Sequence, residues 1–262
     1  MLESKAQAAC GGLSGIRWGF ETTSNPGAYL VPKTKKHAGN LSLLGGWPCL
    51  DFVNTLDWRG TDHPVEFLGT FHDLVVWSRH AGTLSDQEAR RLSQKATTDA
   101  SRAAAVLHDA IELREAIYRI FAPLAESLPV GEEDLMIFNR YLGATMRSSR
   151  IIQQKENFIW NTNGDPQKLD SILNPLVRSA ADLLISVERK RVKKCGDPAC
   201  GWLFLDISRN RSRRWCDMRD CGNRAKAGRF YKKKKGVKPR TSSPKPAPPP
   251  SKPDSNLDRH LL

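Results

Sequence analysis

Four cysteines constrain this chain more than any other feature. They stand in two pairs, Cys195 with Cys200 and Cys216 with Cys221, with four residues inside each pair and fifteen between the pairs. A tetrahedral metal site needs two chelating hooks that can meet, and a long insert lets the chain turn back to bring them together. Zn(II) held by four thiolates, as one structural ion, is the first reading. A single iron or an iron–sulfur cluster is allowed by the same spacing. Turn formers favour convergence, since Gly196 and Pro198 lie inside the first hook and Gly222 follows the second. Two disulfides are disfavoured in a reducing compartment. Residues 189–240 contain no histidine, so a cysteine nucleophile with a neighbouring imidazole base is not expected there. Cys10 and Cys49 stand apart, as a leader residue and a small buried hydrophobe.

Local pattern around the quartet predicts a small fold. GWLFLDIS, from Gly201 to Ser208, alternates as a strand, with Trp202 and Phe204 on one face and Leu203, Leu205 and Ile207 on the other. RNRSRRW then reads as a hairpin loop or a returning strand. GNRAKAGRFYKKKK is rich in helix formers, which puts Cys221 at a helix N-terminus where amides favour a thiolate. Such a module buries little, so the metal is expected to supply its fold, with apparent binding of about 10–16 kcal/mol.

Charge is concentrated in the same place. The chain has 41 Lys and Arg against 28 Asp and Glu, and residues 189–240 alone hold 19 of the former and 4 of the latter. A surplus this local suits a polyanion. The candidate contacts are Arg209, Arg211, Arg213 and Arg214 between the hooks, and Arg224, Lys226, Arg229, Lys232 and Lys233, with Lys234 and Lys235, after them. Trp202 and Trp215 are assigned to the small core rather than to base stacking.

Upstream the pattern is mostly helical. Residues 1–40 lack a sustained period and read as a mobile leader with no secretory signal. Leu50, Phe52 and Val53 suit a short buried strand or a first helical turn. Thr70 with Asp73 and Ser85 with Glu88 have capping-box spacing. Val106, Ala110, Leu113, Ile117, Ile120 and Leu124 make one apolar stripe that Pro123 should end or bend. Leu135, Phe138 and Leu142 mark a shorter helix. RIIQQKENFIW reads as a β-hairpin stopping at Asn163 and Gly164. Leu169, Leu173, Leu176, Ala180, Leu183 and Val187 keep helical spacing, and Pro175 within that run moves the expected helix start to Asn174 as cap, with Pro175 in the first position. The Pro/Lys-rich tail, 237–262, reads as disordered and polyproline-like. No apolar run approaches membrane-spanning length.

CGDPACGWLFLDISRNRSRRWCDMRDCGNRAKAGRF resembles the CGNR zinc finger, whose eponymous tetrapeptide stands here as Cys221, Gly222, Asn223 and Arg224. Phe204, Asp206 and Ser208, in an F-x-D-x-S approach, and RRWC from Arg213 to Cys216 also fit. CLDFVNT, from Cys49 to Thr55, resembles the opening motif of the ABATE domain, which precedes this finger in a bacterial family described as stress-induced transcription regulators. The resemblance implies zinc ligands at Cys195, Cys200, Cys216 and Cys221.

The fold expected is α+β and helix-rich: a mainly helical N-terminal domain with a small β-hairpin, followed by a small treble-clef-like ββα zinc finger. The divisions are a leader at 1–40, an ABATE-like domain at 41–188, the finger at 189–236 and the tail. The expected function is a cytoplasmic, nucleoid-associated transcription regulator that binds DNA through the finger, with an N-terminal domain that senses a small-molecule effector or forms a homodimer. RNA binding, as in a ribosome-associated protein, is the alternative. An enzyme with an accessory finger is a weaker one, because no catalytic constellation is visible. Asp51, Asn54, Thr55, Asp57 and Arg59 could line a ligand pocket, but capping and buried hydrogen bonds explain them better. His108 with Glu112 lacks a second ligand pair, and His72 and His80 are isolated.

Overall fold

A computed structural model describes residues 35–161 and 168–234. The expectations for residues 1–34, Cys10 included, for Asn163 and Gly164, for Lys235 and for the tail lie outside the described residues. Residues 38–40, expected in the leader, instead form a 3-10 turn capped by His37, with Ala38 buried against the second helix.

Helix α1, Pro48–Val53, resolves the ambiguous Leu50 run in favour of a helix. Pro48 stands in its first turn, where a missing amide costs nothing, and Cys49, Leu50, Phe52 and Val53 are buried. Helices α2, Phe71–His80, and α3, Asp86–Thr98, start at the expected capping boxes of Thr70 with Asp73 and Ser85 with Glu88. Helix α4, Ala100–Ala125, is the spine, about 39 Å long at 1.5 Å per residue. Its stripe from Val106 to Ile120 is fully buried. Pro123 does not end the helix at its own position: α4 runs two residues further and stops at Ala125, with Glu126 as its C-cap.

Helix α5, Glu132–Ser148, packs on α4 through Phe138 and leads into an antiparallel hairpin of β3, Arg150–Gln154, and β4, Asn157–Asn161. Helix α6, Asn174–Ile185, has Pro175 in its first turn as expected, but Asn174 is not its side-chain cap. Its Oδ1 accepts from Thr145 Oγ1 at 3.0 Å, tying α6 to α5. Val187 falls past the end of α6 and is exposed. Ahead of α2, β1, Leu56–Asp57, pairs antiparallel with β2, Val65–Glu66.

The cysteine segment opens with β5, Val192–Lys194, antiparallel to β6, Leu203–Leu205, in the register Val192 with Leu205 and Lys194 with Leu203. The expected alternation holds at the centre of β6. Leu203 and Leu205 enter the main core with α1, α4 and α6, whereas Trp202 and Phe204 pack among the cysteines. The strand is shorter than the pattern suggested, and Ile207 lies beyond it, exposed. Residues 209–215 form a loop, so the partner of β6 precedes the first hook rather than following the strand. Helix α7, Asn223–Lys234, follows the second hook. Among the described residues no helix is long and apolar enough to cross a membrane.

Candidate metal centre

The four cysteines come together as the spacing requires. Cys195 follows β5, Cys200 precedes β6, Cys216 ends the loop, and Cys221 lies in the turn Met218–Gly222 that runs into α7. All four are buried, and their sulfurs lie within 4.8 Å of one another. Sulfurs held about 2.3 Å from one tetrahedral zinc ion stand about 3.8 Å apart. The Sγ atoms of Cys200 and Cys216, and of Cys216 and Cys221, are each 3.6 Å apart. Disulfide sulfurs would sit at about 2.05 Å, so the quartet fits one zinc ion and not a pair of disulfides.

The surroundings suit a charged centre. The Cys216 amide donates to Cys195 Sγ at 3.5 Å, Cys195 N to Trp202 O at 2.8 Å, and Gly196 N to Arg214 O at 2.8 Å, so the two hooks are stitched through backbone. Crowded thiols cannot all ionise on their own. The other three thiols hydrogen-bond to Cys195 and hold it far below the ordinary thiol range, while Cys200 and Cys216 are driven far above it, because each added charge would meet the first. A divalent cation removes that conflict, since thiolates are the form it binds.

Arg224, the last residue of the CGNR tetrapeptide, is part of this centre. Its Nη2 donates to Cys221 Sγ at 3.0 Å, its Nε to Asp197 Oδ2 at 2.6 Å and its Nη1 to Asp220 Oδ1 at 3.1 Å, with the guanidinium 4.5 Å from the Trp58 ring. Four thiolates and one Zn(II) sum to −2, and a guanidinium beside one sulfur offsets part of that charge. Asp197 in turn accepts from Ala199 N at 3.1 Å, so a single carboxylate shapes the first hook and is linked to the second through Arg224.

Asp206 organises the loop between the hooks. It is fully buried and accepts from Lys193 Nζ at 2.6 Å, Ser208 Oγ at 2.5 Å, Ser208 N at 2.9 Å and Arg213 N at 3.1 Å. Burial alone would raise its pKa, but the Lys193 ammonium and the Ser208 hydroxyl and amide hold it below the ordinary aspartate range. The F-x-D-x-S pattern therefore has a physical basis: the aspartate ties strand to loop, and the phenylalanine fills the cysteine core.

The cations named from sequence divide in two. Arg213 turns inward, with Nε donating to Trp215 O at 3.0 Å, Nη2 to Cys216 O, and its guanidinium 4.3 Å from the Phe204 ring. Arg224 is inward as well. Arg209, Arg211, Arg214, Lys226, Arg229 and Lys233 are exposed, and the side chain of Lys232 lies outside the described residues. Trp202 is buried beside the cysteines and Trp215 packs against them, as assigned.

The polar cluster of the CLDFVNT region is consumed by internal bonds, as capping and burial predicted. Asn54 Nδ2 donates to Leu203 O at 2.8 Å and its Oδ1 accepts from Leu203 N at 2.9 Å, so one amide takes the place of a neighbouring strand on β6. Arg59 N and Gly60 N donate to Cys200 O and Ala199 O, both at 3.2 Å. The Arg59 side chain binds Glu115 at 2.7 and 2.9 Å. Asp51 accepts from Gly45 N at 2.7 Å, and Asp57 accepts from Lys36 Nζ at 3.2 Å.

Sequence reasoning missed Arg114, which hides within the apolar stripe of α4. It is buried and donates to both Glu66 oxygens at 2.7 Å and to Thr55 Oγ1 at 3.2 Å, supporting the segment that grips the finger. Cys49 is a buried thiol whose pKa burial pushes up to about 12, in line with its reading as a small hydrophobe. Glu112 bonds Arg140 and Tyr141, and His80 meets Leu41 O at 2.7 Å; among the described residues no cluster of His, Cys, Asp and Glu side chains other than the cysteine quartet is close enough to hold a metal ion.

A family model for ABATE, described as "Putative stress-induced transcription regulator", matches residues 46–187, and a model for the CGNR zinc finger matches residues 191–234. No curated protein matches the chain. With more than half of its length matched by the first model and its cysteine quartet closed inside the second, the chain belongs to the ABATE family and carries a CGNR zinc finger.

Proposed function

We propose that the protein is a bacterial transcription regulator, acting at the nucleoid, whose zinc finger binds DNA. The observation that supports this most directly is the set of exposed cations on the finger: Arg209, Arg211 and Arg214 on the loop pinned by Asp206, and Lys226, Arg229 and Lys233 on α7. None of them forms an ion pair among the described residues. Phosphate contacts by such groups release condensed counterions and make binding fall steeply with salt. The helical domain then carries the regulatory input. An open groove of about 500 Å³ between α2, α3 and α4, walled mainly by Phe71, Ala96, Ala100, Ala103 and Leu107, is the place on this domain that an apolar group would meet.

The test uses the full zinc-loaded chain, because the finger is bonded to the helical domain through Asn54, Arg59 and Gly60. Binding to duplex DNA, followed by anisotropy across a salt series, should show a log–log slope that shrinks by about 0.9 for each contacting cation changed to Gln. Failure to bind duplex at low salt would overturn the reading, and a strong preference for RNA would transfer it to RNA.

A further inference from the structure

Charge does not account for the outer face of α7. Phe230 and Tyr231 stand there 66% and 64% exposed. Helical spacing places Lys226, Phe230 and Lys234 one turn apart along a single line, with Lys233 adjoining. Among the described residues, Lys226, Lys233 and Lys234 are exposed and form no ion pair, and Arg229 Nε donates to Ala225 O of its own helix. The inward side of the helix is occupied by half-buried Arg224 and Ala225. A phenylalanine ring left in water forgoes about 1.5–3 kcal/mol of burial. Here it is surrounded by cations, a combination that suits a ligand with anionic groups flanking a flat apolar surface.

A nucleic-acid strand with reachable bases is that ligand. Phosphates alone need no ring, and a fully stacked duplex hides the faces of its bases. The two aromatic rings lie 6.2 Å apart in an edge-on arrangement, with their planes at 76°, so they are not stacked face to face on each other. We propose that α7 stacks an unpaired or locally unstacked nucleobase on Phe230, with Tyr231 beside it, while Lys226, Lys233 and Lys234 hold the flanking phosphates. This rests on the nucleic-acid reading above and names the part of the nucleic acid that the helix meets.

The experiment compares the full zinc-loaded chain with Phe230→Leu and Phe230→Trp. The probe is an oligonucleotide carrying 2-aminopurine, offered single-stranded, as a bulge in a duplex and fully paired. Stacking predicts a change in 2-aminopurine fluorescence on the single strand and the bulge. Phe230→Leu should abolish it and weaken binding about ten- to a hundredfold, whereas Phe230→Trp should preserve both. The salt slope should not change, since no cation is removed. An unchanged signal and affinity in Phe230→Leu would overturn the proposal, as would an equal loss on fully paired duplex. Anionic vesicles bound more tightly than any oligonucleotide, and in a Phe230-dependent way, would also overturn it, in favour of a membrane surface. Wild-type protein that binds no oligonucleotide at low salt would instead sink the nucleic-acid reading itself.

Discussion

Asn54 is the single residue on which the junction most depends. Its side-chain amide satisfies both backbone groups of Leu203, which are otherwise buried. Asn54→Ala strands one donor and one acceptor at about 1–3 kcal/mol each. Urea unfolding should therefore lose about 2–6 kcal/mol with an unchanged m-value. Two shielded aspartates should respond to pH in opposite senses. The Asp206 carboxyl is held below its unfolded value, so its contribution is fully present above about pH 4 and fades as pH falls through the folded value. Asp206→Asn should cost about 2 kcal/mol at pH 7, with the gap to wild type closing in acid. Burial pushes Asp51 up to about 7 against the opposing amides of Gly45 and Leu44, so there the folded state holds its proton longer than the unfolded state. Its contribution falls as pH rises from about 4 to about 7. Asp51→Asn keeps an acceptor for Gly45 N and should match or exceed wild-type stability at pH 8, with no gain at pH 4.

Elements differ in how much of them the sequence discloses, and the difference follows from range. The capping boxes of α2 and α3, the stripe of α4, the hairpin β3–β4 and the alternation of β6 are written in residues a few positions apart, so each was legible. The quartet was legible because two short hooks repeat one chemistry. The grip of Asn54 on Leu203, across 149 positions, leaves no periodic trace. Charge counting also could not tell Arg224 and Arg213, which face the sulfurs and the carbonyl of Cys216, from Arg209 and Arg211, which face water. A matched pair of glycines tests how closely the elements meet. A Cβ on Gly60 would lie 1.7 Å from Pro198 O, so Gly60→Ala must push the first hook away from the β1–β2 loop. Zinc affinity, measured against a chromophoric chelator, should drop about tenfold or more, as when the supporting shell of a metal site is disturbed. Gly228, in exposed α7, has nothing within 4 Å of its would-be Cβ. Gly228→Ala should leave zinc affinity unchanged and add about 0.5–1 kcal/mol of helix stability.

At the scale of the whole molecule, β6 is a shared wall: Leu203 and Leu205 complete the core built on α1, α4 and α6, and Trp202 and Phe204 complete the cysteine cluster. The metal is therefore expected to hold more than its own forty residues. Removing it leaves four crowded sulfurs with no cation between them, and the hooks that position β6 lose their anchor. The Asn54 clamp and the amides of Arg59 and Gly60 then face a strand and a hook free to move. Chelation should accordingly lower the melting temperature of the whole chain and keep one cooperative transition, with helical ellipticity and tryptophan emission melting together. Amide exchange should quicken in α1 as well as in the finger, since α1 ends against β6. A chain ending at residue 188 should be less stable than the zinc-loaded whole, because it leaves the core positions filled by Val192, Leu203 and Leu205 open to water. Two separate transitions, with the helical one indifferent to chelation, would mean that the finger is an independent module and that zinc steadies only its own loop.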